Sequence, residues 1–179
     1  PIYREKIFPC SDEEKIRYQQ NLLKRTVPYE ITKNEQVIYK HRNLIELNFE
    51  TDKSFLSKKN KIQIITDGKE KFRLLFEDIK NAKNYIHIQY YILKKDGIGK
   101  HLFSLLEQKL LEGVDVYILY DDIGSRKLSI SSLRQLTKNN AKIKRFFKSK
   151  FPLINFRMNY RNHRKIVTID GNIGYTGGF

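Results

Sequence analysis

The strongest constraint on the fold is an alternation of two hydrophobic periods along the chain from Lys61 onward. In some segments apolar residues recur at every second position, which is typical of strands; in others they recur every three or four positions, which is typical of helices. The predicted strands are 62–65, 85–93, 114–120 and 142–147, and the predicted helices are 72–82, 102–110 and 129–138, with Gly113 as a left-handed cap. Strands that alternate with helices favour an α/β domain with a largely parallel sheet.

Both ends of this domain differ from its centre. At the carboxyl end, two predicted strands, 163–169 and 172–176, flank the hairpin dipeptide Asp170-Gly171. At the amino end, residues 1–60 read as an appendage, with a capped helix over 11–25 and two extended pieces, 36–39 and 44–47. We therefore expect two domains, an appendage over 1–60 and an α/β domain over 61–179.

The positive charge of the chain is concentrated in one stretch. The 179 residues carry a net charge of +15, and positions 123–169 hold 13 Lys and Arg residues with no Asp or Glu. Such a field attracts phosphate, whether on nucleic acid, on an anionic membrane or on a small molecule. A solvated basic face with no partner is the alternative interpretation.

Composition excludes several classes of protein. The single cysteine, Cys10, cannot form an intramolecular disulfide, and no Cys/His spacing indicates a structural zinc site. The longest uncharged stretch, 84–93, is far shorter than the roughly 20 residues that a membrane span requires. No secretory signal is visible, and a chain that begins at Pro1 and stops directly after a strand reads as a piece of a longer protein.

The segment 162–170 carries the clearest chemistry. Residues two apart on a strand share a face, so His163 and Lys165 are predicted to project together. An imidazole nitrogen can attack phosphorus while the neighbouring ammonium offsets the negative charge of a phosphodiester. Asp170 at the turn could accept a hydrogen bond, and Gly174, Gly177 and Gly178 would let the backbone approach a phosphate. A surface His–Lys pair without catalytic function is the alternative.

The spacing His-x-Lys-x-x-x-x-Asp, followed after six residues by Gly-Gly, resembles the HKD motif of the phospholipase D superfamily. His163, Lys165, Asp170, Gly177 and Gly178 all match this motif. The resemblance is closer still to bacterial cardiolipin synthases, and it covers about residue 60 to the end. The segments that carry it are 60–72, 86–93, 113–116, 120–125 and 159–165.

The resemblance implies a phospholipase D-like mixed, mostly parallel sheet with helices on both faces. It also implies a phosphatidyltransferase that makes cardiolipin from two phosphatidylglycerol molecules and releases glycerol. His163 would be the nucleophile that forms a phosphatidyl-histidine, Lys165 would bind the phosphoryl oxygens, and Asp170 would hold the basic groups in place. No cofactor and no metal are implied.

The resemblance also implies partners and a location. Members of the family combine two HKD motifs in one active site. The chain has one motif, so the expected partner is a second HKD half of the same full-length protein, and we expect the fragment to be inactive alone. The expected substrate surface is phosphatidylglycerol in an anionic membrane, with no nucleic acid. The full-length enzyme would lie at the cell membrane, residues 1–60 being juxtamembrane, while the fragment would be soluble.

Two further hypotheses remain open from the residues. The first is a phospholipase D family nuclease that acts as a dimer of single-motif chains, which the basic stretch would suit. The second is a non-catalytic domain that docks on anionic membranes.

Four further residues have side chains that are common in active sites. His87 is predicted to be structural and Ser125 not to be a nucleophile, while Asp121 and Asp122, at the end of a parallel strand, are candidates for a helper role. The mixed basic and aromatic residues of 144–158 could insert at an anionic interface.

Overall fold

The computed structural model describes residues 40–52, 60–128, 130–146 and 161–178. The chain divides into two compact units, Pro1–Ile64 and Ile65–Phe179. The predicted boundary at residue 60 stays a prediction, and the helix expected over 11–25 and the extended piece over 36–39 lie outside the described residues.

In the first unit, helix α1 spans Arg42–Asp52. The prediction of an extended piece over 44–47 is therefore wrong. Asn48 and Thr51 donate side-chain hydrogen bonds to the carbonyls of Leu44 and Leu47, four residues earlier, at 2.9 and 2.8 Å. A short apolar run does not by itself distinguish strand from helix, which explains the error.

Residues 60–67 form no strand either, although the sequence predicts one over 62–65. The side chains of Ile62 and Ile64 are 86% and 87% exposed. Alternating isoleucines favour an extended chain, but a strand also needs a neighbour to complete its backbone hydrogen bonds. The sheet formed by the described residues does not include this segment.

The three predicted helices of the second unit are confirmed. Helix α2 spans Gly68–Asn81, helix α3 Gly97–Leu111 and helix α4 Ile130–Lys138. The carboxylates of Asp67 and Asp96 cap α2 and α3 by accepting the backbone N–H groups of Glu70 and Gly99. Gly113 has a φ of +88°, so the predicted left-handed position after α3 is also confirmed.

Five strands form one mixed sheet in the order β3-β2-β1-β4-β5. They are β1 Tyr85–Tyr90, β2 Asp115–Asp121, β3 Lys142–Phe146, β4 Ile166–Ile169 and β5 Ile173–Thr176. β1, β2 and β3 are parallel neighbours, β4 runs antiparallel to β1, and β5 runs antiparallel to β4. Four of the five strands thus point in one direction, and the prediction of a mixed, mostly parallel sheet flanked by helices is confirmed.

The described helices α2, α3 and α4 lie on one face of this sheet, whereas the prediction places helices on both faces. Lys71 of α2 donates to the hydroxyl of Tyr90, and Tyr175 of β5 donates to Asp78 of α2. Glu107 of α3 accepts from Gln135 of α4 at 2.8 Å. Because the right-handed crossovers β1-α3-β2 and β2-α4-β3 advance in the same direction, they place their helices on the same side.

The core lies between these helices and the covered face of the sheet. It is formed by side chains of the helices α2, α3 and α4 and of the strands β1, β2 and β4. Its most buried side chains are Leu75, Ile79, Ile86, Leu106, Val116, Ile118, Leu136, Val167 and Ile169. The alternate burial along β1, β2 and β4 follows the two-residue period of a strand with one covered face.

The terminal hairpin is confirmed at its turn but is shorter than predicted. Asp170 and Gly171 have φ values of +51° and +69°, the left-handed pair that a type I′ turn requires. Strand β4 begins at Ile166 rather than at residue 163. The residues that carry the predicted chemistry therefore precede the strand.

Candidate active site

Three chain segments meet at one edge of the sheet. β1 ends at Tyr90 and β2 ends at Asp121, so both present their carboxyl ends there. β4 is antiparallel to β1 with Ile166 opposite Gln89, so the segment 161–165 runs beside the carboxyl end of β1. The carboxyl edge of parallel strands is where open α/β sheets bind their ligands.

His163 lies at this edge with its imidazole stacked on the ring of Tyr91. The two ring centroids are 4.0 Å apart and the planes differ by 17°. The histidine is otherwise exposed, and Lys165 is half-buried two residues further along. The structure thus brings His163 and Lys165 into one short segment, but their common strand face stays a prediction because this segment precedes β4.

Asp170 does not join them, because it lies at the opposite end of β4. Its carboxylate accepts hydrogen bonds from the backbone N–H groups of Lys83, Asn84 and Tyr85 at 2.8, 2.8 and 2.9 Å. Burial raises the pKa of Asp170, but the three backbone donors outweigh burial and hold that pKa below its usual value. With about 3.3 Å per extended residue, Asp170 is roughly 20 Å from His163.

The glycines near the motif lie at different positions along the hairpin. Thr176 pairs with Ile166, so Gly177, with a φ of +149°, follows β5 at the same edge as His163. Gly174 pairs with Thr168 in the interior of the strand pair. A backbone approach to a phosphate at the His163 edge is therefore open to Gly177 and not to Gly174.

A tight turn directly after β2 lies at the same edge of the sheet as His163. Asp121 is only 1% exposed, and its Oδ1 accepts from the backbone N–H groups of Ile123 and Gly124 at 3.0 and 2.9 Å. Its Oδ2 lies 3.4 Å from the backbone nitrogen of Asn162, the residue before His163. Asp122 instead pairs with Arg145 of β3 at 3.3 Å. Asp121, one of the two candidate helpers, therefore reaches the segment of His163.

Sequence reasoning missed a buried cation at this end of β1. Lys71 is 9% exposed, and its Nζ donates to the Tyr90 hydroxyl at 2.9 Å and lies 3.8 Å from the centre of the Phe72 ring. Burial lowers the pKa of Lys71 to about 8 and raises that of Tyr90 to about 12. The sequence could have shown this, because Lys71 lies four residues before Leu75, on the apolar face of α2.

His87 lies on the uncovered face of the sheet. Its ring contacts those of Tyr85 and Tyr117, with centroids 4.8 and 4.7 Å away. Desolvation is the main cause that lowers the pKa of His87, nearby Lys142 lowers it further, and the charge of Asp115 acts in the opposite direction. These contacts give His87 a packing role in the sheet, as predicted.

The described residues offer neither a metal-binding cluster nor a membrane-spanning helix. No cluster of three or more His, Cys, Asp or Glu side chains that could hold a metal ion occurs within 40–52, 60–128, 130–146 and 161–178. In the same ranges, no helix has the length and apolar character to cross a membrane. The predicted interfacial loop falls mostly at 147–160, outside the described residues.

Comparison with known proteins decides the family. A family described as "Cardiolipin synthase, PLD-like domain" matches residues 75–179, more than half of the chain. The chain belongs to this family of the phospholipase D superfamily. The matched region includes all five strands and the segment of His163 and Lys165.

Individual members of the family are similar over most of the chain. Cardiolipin synthase 1 of Staphylococcus epidermidis is 50% identical over 146 residues, 82% of this chain and 30% of that protein. The Listeria monocytogenes cardiolipin synthase is 44% identical over 98% of this chain and 37% of that protein. The chain thus spans about a third of the length of these relatives.

Two solved structures show a weaker similarity to the chain. A phospholipase D family member, Nuc from Salmonella typhimurium, is 26% identical with a TM-score of 0.38 over 55% of this chain and 56% of that one. NucT from Helicobacter pylori is 22% identical with a TM-score of 0.40 over 57% of this chain and 61% of that one.

Proposed function

We propose that the chain carries the first half of the active site of a phosphatidyltransferase that makes cardiolipin. In this reaction two phosphatidylglycerol molecules yield cardiolipin and glycerol. The observation that carries the proposal is the place of His163 within a cardiolipin synthase family match, at the carboxyl edge of the sheet. The natural full-length protein would act at an anionic membrane and supply a second motif.

The first chemical step is a displacement at phosphorus. A ring nitrogen of His163 attacks the phosphorus of one phosphatidylglycerol, and the bond from phosphorus to the glycerol headgroup oxygen breaks. A proton from the second motif's histidine goes to the leaving oxygen, which releases glycerol. The phosphatidyl group is then held by a phosphorus–nitrogen bond.

The second step reverses the roles of proton donor and acceptor. The second histidine takes the proton from a headgroup hydroxyl of another phosphatidylglycerol, whose oxygen attacks the phosphorus. The phosphorus–nitrogen bond breaks and cardiolipin leaves His163. In both steps Lys165 stabilises the phosphoryl oxygens, where negative charge develops.

The charge pattern supports an anionic substrate surface. The stretch 123–169 holds 13 basic and no acidic residues and leads directly into the site. Cations that face a membrane rich in phosphatidylglycerol raise the local concentration of that substrate. The pattern agrees with a phospholipid substrate but also suits nucleic acid, so the experiment includes both.

The test uses the natural full-length protein with phosphatidylglycerol vesicles. His163→Ala should abolish both cardiolipin formation and the trapping of labelled phosphatidyl group on the protein. His101→Ala is the matched control, because His101 is an exposed histidine on α3 that packs against Phe76 with ring centroids 4.6 Å apart. Full activity in His163→Ala would overturn the proposal, and cleavage of single-stranded DNA that depends on His163 would favour the nuclease.

A further inference from the structure

Tyr91 contacts the proposed nucleophile through the face of its ring. The 4.0 Å centroid distance and 17° interplanar angle place the Tyr91 and His163 rings nearly parallel. Stacking covers one face of the imidazole, whereas the lone pair of a ring nitrogen lies in the plane of the ring. The contact therefore restricts the orientation of an exposed histidine without occupying the atom that would attack phosphorus.

Tyr91 is itself held against Gly124 of the turn after β2. A Cβ at position 124 would lie 2.9 and 3.0 Å from Cε2 and Cδ2 of the Tyr91 ring, and 2.3 Å from the Tyr91 carbonyl oxygen. Real Cβ atoms do not approach other atoms so closely, and the carbonyl belongs to the backbone. The absence of a side chain at Gly124 is thus a condition for the observed place of Tyr91.

Ser125 fixes the backbone of the same segment. Its hydroxyl donates to the carbonyl of Tyr91 at 3.2 Å and accepts from the backbone N–H of Leu93 at 2.9 Å. Ser125 is only 4% exposed, and its own backbone N–H donates to the carbonyl of Asp121 at 3.0 Å. A buried hydroxyl that bridges two strand ends in this way is structural, which agrees with its predicted lack of nucleophilic function.

We propose that Tyr91 is a positioning residue for His163, and that Gly124 and Ser125 hold Tyr91 in place for this purpose. The proposal rests on the proposed function, because it takes His163 as the attacking group. It assigns a role to the segment 90–93 at the end of β1 and to the segment 121–125 at the end of β2, for which the sequence alone indicated no mechanism.

The experiment measures ring orientation and catalysis separately in the natural full-length protein labelled at histidine. The ring current of Tyr91 should shift the imidazole proton resonances of His163 upfield. Tyr91→Leu should abolish that shift and lower kcat roughly tenfold with little change in KM, since misplaced reacting groups slow the chemical step. Tyr91→Phe retains an aromatic ring and should keep both the shift and the activity.

Two matched variants separate positioning from general destabilisation. Tyr117→Leu removes a tyrosine–histidine contact elsewhere on the sheet and should leave kcat unchanged. Gly113→Ala strains a left-handed position just before β2, at the end of the sheet opposite His163, so it destabilises the fold away from the site. Gly124→Ala should move the His163 resonances, whereas Gly113→Ala should not.

The outcomes are distinguishable from failure of the proposed function. An unchanged His163 resonance in Tyr91→Leu would overturn the positioning role, and so would a lost shift with unchanged kcat. Equal losses in Tyr91→Leu and Tyr91→Phe would also contradict it, because the hydroxyl rather than the stacked ring would then matter. The proposed function fails only if His163→Ala remains active.

Discussion

Asp170 and Tyr85 are joined by two reciprocal hydrogen bonds. The backbone N–H of Asp170 donates to the carbonyl of Tyr85 at 3.0 Å, and the carboxylate of Asp170 accepts from the backbone N–H of Tyr85 at 2.9 Å. The hairpin turn is thereby attached to the first residue of the central strand β1. The aspartate of the HKD motif acts in this structure as an anchor for the loop between α2 and β1.

Replacing this carboxylate should cost stability. We expect Asp170→Asn to lower the free energy of unfolding by about 1–3 kcal/mol at neutral pH, because the amide cannot accept from all three backbone donors. Chemical denaturation followed by circular dichroism measures this loss. Asp115→Asn is the matched control, because Asp115 is 60% exposed with a 3.5 Å ion pair and should change stability by less than about 0.5 kcal/mol.

The same variant should show a distinct response to acid. The pKa of Asp170 lies below its usual value in the folded chain, so the unfolded chain binds the proton more readily. Stability from this group is present above the ordinary carboxyl pKa and is lost as the pH falls through the folded pKa. The difference between wild type and Asp170→Asn should thus shrink from about pH 6 to about pH 3, and a constant difference would contradict this assignment.

Gly113 offers a test of backbone conformation alone. Its φ is +88° and a Cβ there would meet no atom within 4 Å, so only strain opposes a side chain. Gly113→Ala should lower the free energy of unfolding by about 1 kcal/mol. Gly97 has equally open space without a positive φ and lies in α3, so Gly97→Ala should be neutral or stabilising. Equal effects of the two substitutions would refute the left-handed cap.

Lys71 should make stability depend on alkaline pH. Burial lowers its pKa from 10.5 to about 8, so between these values the unfolded chain binds more protons and stability rises with pH. From about pH 7 to about pH 9.5, the free energy of unfolding should rise by about 2 kcal/mol more in wild type than in Lys71→Met. Tyr90 contributes little over this range, because burial raises its pKa to about 12 and an ordinary tyrosine titrates near pH 10. Parallel pH profiles would show that Lys71 is not desolvated.

Lys165 should affect catalysis rather than folding. If its ammonium stabilises the phosphoryl oxygens, Lys165→Met should lower kcat roughly 100-fold in the natural full-length protein. Lys142→Met is the control, because Lys142 donates to the Tyr117 hydroxyl on the sheet face that the described helices leave uncovered. The rate of cardiolipin formation from phosphatidylglycerol vesicles measures both. Full activity in Lys165→Met would exclude the proposed role.

The hydrophobic pattern of the sequence predicted the helices and strands whose apolar residues repeat clearly with one period. The β-forming residues of β2 follow a two-residue period and the apolar face of α2 follows a helical period, and both elements form as predicted. Two apolar runs, 44–47 and 62–65, were assigned wrongly. The first was too short to show its helical period, and the second lacks a strand neighbour among the described residues.

The site was predictable only in part, for a related reason. His163 and Lys165 follow from the motif, but their neighbours depend on how β4 pairs with β1, over 70 residues away along the chain. That register places Tyr91 beside His163 and Tyr85 beside Asp170. No local pattern encodes such a long-range pairing.

The two ends of β1 give the motif spacing a mechanical meaning. Tyr85 begins β1 and Tyr91 directly follows its last residue; Asp170 contacts Tyr85, and His163 contacts Tyr91. The number of residues between His163 and Asp170 therefore matches the length of β1. Asp170 fixes one end of the segment, and this sets how far His163 extends beyond the other end of β1. Inserting residues between them would change the reach of the histidine while leaving every side chain of the motif intact.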